Sequence, residues 1–158
     1  MNNIYRLIIF LPFFMLSCAP NVIDENKLEN FAKFAVENYI YNFDNYKLDL
    51  AANEVLSLAI NTNLYLNDNQ PWLLIKDKDN LPIVKQIIYN VLESTRIIGL
   101  LLIPLLPELS KKINEQLGSI YREEIPWKQQ LIWGLLVNNS SLPKPTPIIN
   151  KLEYEQHL

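Results

Sequence analysis

From Asp24 almost to Leu117, apolar residues recur three and four positions apart, and Gly99 is the one glycine in that stretch. Recurrence at that spacing builds an apolar face on an α-helix, whereas a half-buried strand alternates at every second residue. Leu28, Phe31, Ala32, Ala35 and Tyr39 form the first such stripe, which Phe34, Val36, Ile40 and Phe43 widen. Asp24 or Asn26 suits the cap of this helix, and Asp44-Asn45 marks the turn after it. A second stripe runs from about Tyr46 to Leu66 through Leu48, Ala51, Ala52, Val55, Leu58 and Ala59. The polar cluster Asn67 to Gln70 ends it.

Pro71 suits the first position of a new helical turn, where its missing N–H leaves no bond unmade. A short turn over Trp72 to Lys76 and a loop over Asp77 to Asn80 lead to a third long helix from Leu81-Pro82, which Pro104 and Pro107 end. Its late part, Ile97 to Ile103, is apolar all round and reads as the central buried element. Arg96 and Pro104 bracket only seven residues, too few to span a bilayer. A helix over Leu105 to Leu117 and a shorter one over Trp127 to Leu136 follow. Minor extended pieces fit Leu135 to Val137 and Pro147 to Ile149. The tail from Ser140 carries Pro143, Pro145 and Pro147, so it is expected to run extended and wrap the bundle. The pattern predicts an all-α helical bundle over residues 21–158, one domain, after a separate apolar segment at 1–20.

Composition narrows the chemistry. The chain has 158 residues, of which 49% are apolar and 20% charged, a globular composition. One Cys (Cys18) and one His (His157) are too few for a zinc site. A single Cys also excludes an intrachain disulfide, which suits a reducing compartment. The isolated Gly99, Gly118 and Gly134 form no phosphate cradle. A net charge of −3 argues against a general phosphate-driven nucleic-acid binder, but leaves open the recognition of unstacked bases.

Residues 1–20 admit three readings. Arg6, the apolar run Leu7 to Leu16 and Ser17-Cys18 outline an export signal, or a lipoprotein signal with Cys18 as the modified residue. Met15, Leu16 and Ser17 depart from the usual order before a lipidated Cys, and Pro12 interrupts the run. The segment also suits a helix covering the bundle, or an aberrant start of a truncated or frame-shifted gene.

The junction of the second and third segments is the most specific motif: Asn63-Leu64-Tyr65, five residues, then Pro71-Trp72 and Lys76. After it come Arg96, an apolar run ending in Pro104-x-x-Pro107, Ile113 and Leu117, Trp127, Gly134 and a closing stretch from Leu142 to Lys151. This ordered series resembles the C-terminal anticodon-binding domain of methionyl-tRNA synthetases of bacterial, cyanobacterial type. The resemblance covers about Asp24 to Tyr154. It implies a helical bundle that binds methionine tRNA at its CAU anticodon, with Trp72 stacking on a base, Asn63 beside it, and Lys76 near a phosphate. The family also carries an Asn and, four residues on, an Arg on the first helix of the domain. Asn2 and Arg6 have that spacing here, although the apolar run after them departs from the family's amphipathic helix. Taken without the family, Trp72 also reads as a half-buried core residue, Asn63 as a helix-end cap and Tyr65 as core. Leu73 and Leu74 are expected to pack inward.

The same family's ATP-binding catalytic domain carries a His-x-Gly-His signature and a Lys-Met-Ser-Lys-Ser loop. One His excludes the first, and Met at positions 1 and 15 alone excludes the second. No catalytic residue is assigned: His157 is next to the C-terminus, Glu123-Glu124 reads as a solvated pair, and Ser94-Thr95 beside Arg96 as plain helix surface. No cofactor or metal is expected; ATP and methionine would belong to a separate catalytic chain. The expected location is the cytoplasm, with export or anchoring through Cys18 as the alternative. A helical protein-interaction module, or a synthetase remnant without function, is the competing reading.

Overall fold

In a computed structural model, residues 26–118, 121–137 and 142–148 are described. Their helices are α1 (Lys27–Asp44), α2 (Leu48–Asn69), the short α3 (Pro71–Leu74), α4 (Leu81–Leu101), α5 (Pro107–Gln116) and the short α6 (Trp127–Gln130), with a 3₁₀ turn over Lys78–Asn80. No strand occurs among the described residues, so the extended pieces expected near Leu135 and Pro147 are not formed there as strands. None of the helices in the described residues is long and apolar enough to cross a membrane.

The helix limits follow local chemistry. α1 ends at Asp44, as expected, and the chain reverses through Tyr46, a non-glycine residue at φ 59°. α2 begins at Leu48 and continues to Asn69, past the expected end at Leu66. The Asn69 side chain donates back to the Tyr65 carbonyl at 2.7 Å, one turn earlier. Gln70 then turns left-handed at φ 42°, and Pro71 opens α3.

Leu28, Ala32, Ala35 and Tyr39 of α1 are buried, as are Ala51, Val55, Leu58 and Tyr65 of α2. The two helices therefore pack along complementary apolar stripes. Leu28, near the start of α1, joins Tyr65, Leu66 and Leu74 in one cluster, so α1 and α2 run antiparallel. α4 completes the core with Ile97, Leu100 and Leu101, in agreement with the all-round apolar run. Ser110 of α5 donates to the Gly99 carbonyl at 2.7 Å. A Cβ at Gly99 would stand 2.9 Å from the Ile113 Cγ2, so glycine is what lets α5 come this close to α4. The proline-rich segment lies along α5: Thr146 exchanges hydrogen bonds with the Gln116 amide at 2.9 and 3.1 Å.

Two expectations fail on α4 and after it. Ser94 and Arg96 are not helix surface; both are buried together with Glu93. Ser94 shares a 2.6 Å hydrogen bond with Thr62 of α2. Glu93 and Arg96 pair with each other and capture the backbone of residues 130–136. That capture is also why no helix runs from Trp127 to Leu136. The N–H groups of Gly134, Leu135 and Leu136 all donate to the Glu93 carboxylate, at 2.7, 3.0 and 3.0 Å. Gly134 stands at φ 93°, a conformation that no helix continues through.

Candidate nucleic-acid interface

α3 projects from the bundle between α2 and α4. Pro71 is buried and Leu74 packs into the Leu28–Tyr65–Ile87 cluster, one helical turn apart and on the same side. A single turn buries only that one side, so Trp72 and Leu73 face outward, 50% and 48% exposed. Leu73 is therefore not packed inward as expected; only Leu74 is. At 50% exposure Trp72 has the outward placement that a stacking role needs, and it fits the half-buried reading equally.

The knuckle is held on both sides. Leu73 N and Ile75 N donate to the carbonyls of Gln70 and Pro71 at 2.9 and 3.0 Å. Beyond it, the Asp77 carboxylate accepts from Asp79 N at 3.1 Å, and the Asn80 amide donates to the Leu74 carbonyl at 3.4 Å. An exposed indole on a braced turn presents a flat face to solvent at little further cost in conformational freedom.

Asn63 is exposed on α2, within the helix body and not at its end, so it is not a cap. Tyr65, two residues on, is buried, and its hydroxyl accepts from the Asn90 amide at 3.1 Å, which makes it core. Lys76 is exposed just after α3, ahead of the alternating charges Asp77, Lys78 and Asp79. Asn63, Trp72 and Lys76 are all exposed, Trp72 and Lys76 at the α2–α3 corner and Asn63 six residues before the end of α2. Asn2 and Arg6, like Cys18 and His157, lie outside the described residues.

On α1, the first described helix, exposed Asn30 stands one turn before exposed Phe34. No three His, Cys, Asp or Glu side chains gather in a metal-holding group among the described residues. Burial, then the nearby Glu93, raises the Tyr89 hydroxyl above the ordinary tyrosine range.

The family model described as the anticodon binding domain of methionyl tRNA ligase matches residues 19–157. Methionine–tRNA ligase of Nostoc sp. is 34% identical over 113 residues, covering 68% of this chain and 21% of the relative. The Synechocystis sp. ligase is 30% identical over 85% of this chain and 27% of its own length. The Bacillus subtilis ligase is 28% identical, again over 85% of this chain and 20% of its own. The chain thus spans about a fifth to a quarter of the curated relatives it matches. With a family model over most of its length and an all-helical bundle beneath it, the chain belongs to the family of anticodon-binding domains of methionyl-tRNA ligase.

Proposed function

We propose that this domain binds methionine tRNA by reading its CAU anticodon, and that it serves aminoacylation only beside a separate catalytic chain. The observation that carries the reading is Trp72, half-exposed on a braced turn at the position where the family pattern places its stacking aromatic. A base laid on an indole gains roughly 1–3 kcal/mol as judged by alanine substitution. Asn63 offers an amide for base edges, and Lys76 an ammonium for a phosphate. Asn2 and Arg6, one helical turn apart in spacing, are proposed as the first-helix amide and guanidinium that meet the same bases. The domain is proposed to work in the cytoplasm, where charged tRNA is made and used.

The test is binding of the full chain to methionine tRNA and to the same tRNA with an altered anticodon. The reading expects a preference for the CAU anticodon that Trp72→Ala removes. Equal binding of both tRNAs would overturn it.

A second reading, a helical protein-interaction module, is favoured by one observation. Leu56, Ile60 and Leu64 form an exposed aliphatic stripe along α2. A stable protein partner in the absence of tRNA binding would support this reading instead.

A further inference from the structure

We infer that Tyr65 and Asn90 are positioning residues for Trp72: their buried hydrogen bond fixes the two helices that carry the Trp72 turn, and so sets where the indole is presented. The inference rests on the anticodon-reading proposal and gives a role to two residues which that proposal leaves in the core.

The turn is held between two helices. α2 ends at Asn69 and α4 starts at Leu81, and residues 70–80 between them carry Trp72. α3 is a single turn, too short to hold its own shape in water. Its direction therefore depends on how α2 and α4 sit against each other. Apolar contacts between helices are non-directional, whereas hydrogen bonds demand a distance and an angle. Two buried cross-links join α2 to α4. The Thr62 and Ser94 hydroxyls share one at 2.6 Å, and the Asn90 amide donates to the Tyr65 hydroxyl at 3.1 Å. All four residues are buried. Residue 62 pairs with 94 and 65 with 90, so the helices are antiparallel and the links lie about one turn apart. The Tyr65–Asn90 link is the nearer of the two to the Trp72 turn.

Tyr65 is tied to that turn by both its ring and its backbone. The ring belongs to the Leu28–Tyr65–Ile87 cluster against which Leu74 of α3 packs. The Tyr65 carbonyl accepts from Asn69, the last residue of α2, at 2.7 Å. Asn90 is oriented in turn by Gln86, whose amide donates to the Asn90 Oδ1 at 2.9 Å. A Phe and a Leu would fill the same space without a buried polar group. What the Tyr and Asn add is direction, one rotation and one register of α2 against α4.

The test uses Tyr65→Phe and the double variant Tyr65→Phe/Asn90→Leu in the full chain, each shown folded by circular dichroism. One readout is fluorine NMR of the free chain labelled with 5-fluorotryptophan, with the Trp72 and Trp127 signals assigned by Trp72→Phe and Trp127→Phe. The other is affinity for an RNA stem-loop carrying the CAU anticodon, with Trp72→Ala as the control. Removing one partner strands the other, whereas replacing both by apolar groups brings stability back near that of the parent. A positioning role therefore expects a double variant that melts close to the parent, yet binds RNA about five-fold more weakly. Its Trp72 signal is expected to shift or broaden beside an unchanged Trp127 signal. Parent-like affinity or a parent-like Trp72 signal in the double variant would overturn the inference, because the bond would then act through stability alone. Equal change at Trp72 and Trp127 would overturn it too, as a general loosening of the bundle. Failure of the parent chain to bind, or indifference to Trp72→Ala, would overturn the anticodon reading, while the Trp72 signal of the free chain still decides whether the pair positions Trp72.

Discussion

Arg96 bonds Glu93 one turn earlier on α4, with guanidinium and carboxylate 2.6 Å apart and both side chains almost wholly buried. Neither charge relies on the other alone. Arg96 also donates to the carbonyls of Gln130 and Ile132, while Glu93 accepts the three N–H groups of residues 134–136. The pair thus acts as a two-sided clip that fastens the segment after α6 onto the central helix. Burial of two charges costs several kcal/mol per ion unless pairing and hydrogen bonds offset it, and here both partners have backbone ligands that do so.

Removing one half of this clip strands the other. Arg96→Met is expected to destabilise the domain by about 3–5 kcal/mol, because it leaves the Glu93 carboxylate buried without its cation. Urea unfolding followed by far-ultraviolet circular dichroism measures this. A loss under about 1 kcal/mol would mean that the clip is not closed in solution.

Tyr39 presents the opposite case. It is fully buried against Phe43 and Trp127, and its hydroxyl finds no hydrogen-bond partner among the described residues. Tyr39→Phe removes an unsatisfied polar atom and keeps the ring, so stability is expected to stay level or to rise by up to about 1–3 kcal/mol. Burial pushes the Tyr39 hydroxyl up to about 12 from 10.0. The folded state therefore holds the proton more tightly than the unfolded chain. Its contribution is fully present below pH 10 and is lost as pH rises towards 12. Unfolding midpoints across that alkaline window should fall less steeply in Tyr39→Phe than in the parent.

Gly99 sits inside α4, where Ala would ordinarily gain about 1 kcal/mol in helix propensity. The 2.9 Å approach of the Ile113 Cγ2 to a Cβ there reverses the sign. Overpacking costs typically about 1–3 kcal/mol, so Gly99→Ala is expected to lower the melting temperature. A rise would show that α5 shifts away without penalty.

Tyr46 is 92% exposed at φ 59°, so its side chain contributes little to packing while its backbone is held in a region disfavoured for residues with a Cβ. Tyr46→Gly is expected to stabilise by about 1 kcal/mol. Thermal unfolding of the two chains side by side provides the check.

Trp72→Ala should change stability by no more than about 0.5 kcal/mol, as for surface positions in general. Its effect, if the proposed function holds, belongs to RNA binding. A large drop in stability would instead make Trp72 a packing residue of the α3 corner.

The helices were legible because their cause is local. Apolar residues at three- and four-residue spacing define α1, α2 and α4, and Asp44-Asn45, Pro71, Pro104 and Pro107 punctuate them close to where the structure does. The Asn63–Tyr65 and Pro71-Trp72 motif was legible for the same reason, and the family match over residues 19–157 agrees with it. What failed depended on partners far away in the chain. Leu73 reads as core by its side chain, yet α3 is one turn long and Pro71 with Leu74 already occupies its inner side. Ser94 and Arg96 read as surface by their polarity, yet they lie in the second half of α4, where Glu93, Ser94 and Arg96 to Leu101 are buried by the surrounding elements. The 127–136 stretch reads as helix by composition, but its backbone is bonded instead to two charges on α4, some forty residues earlier. Spacing along the chain determines which faces are apolar; only the assembled bundle decides which polar groups lose water and must find protein partners, because that depends on what the other helices cover.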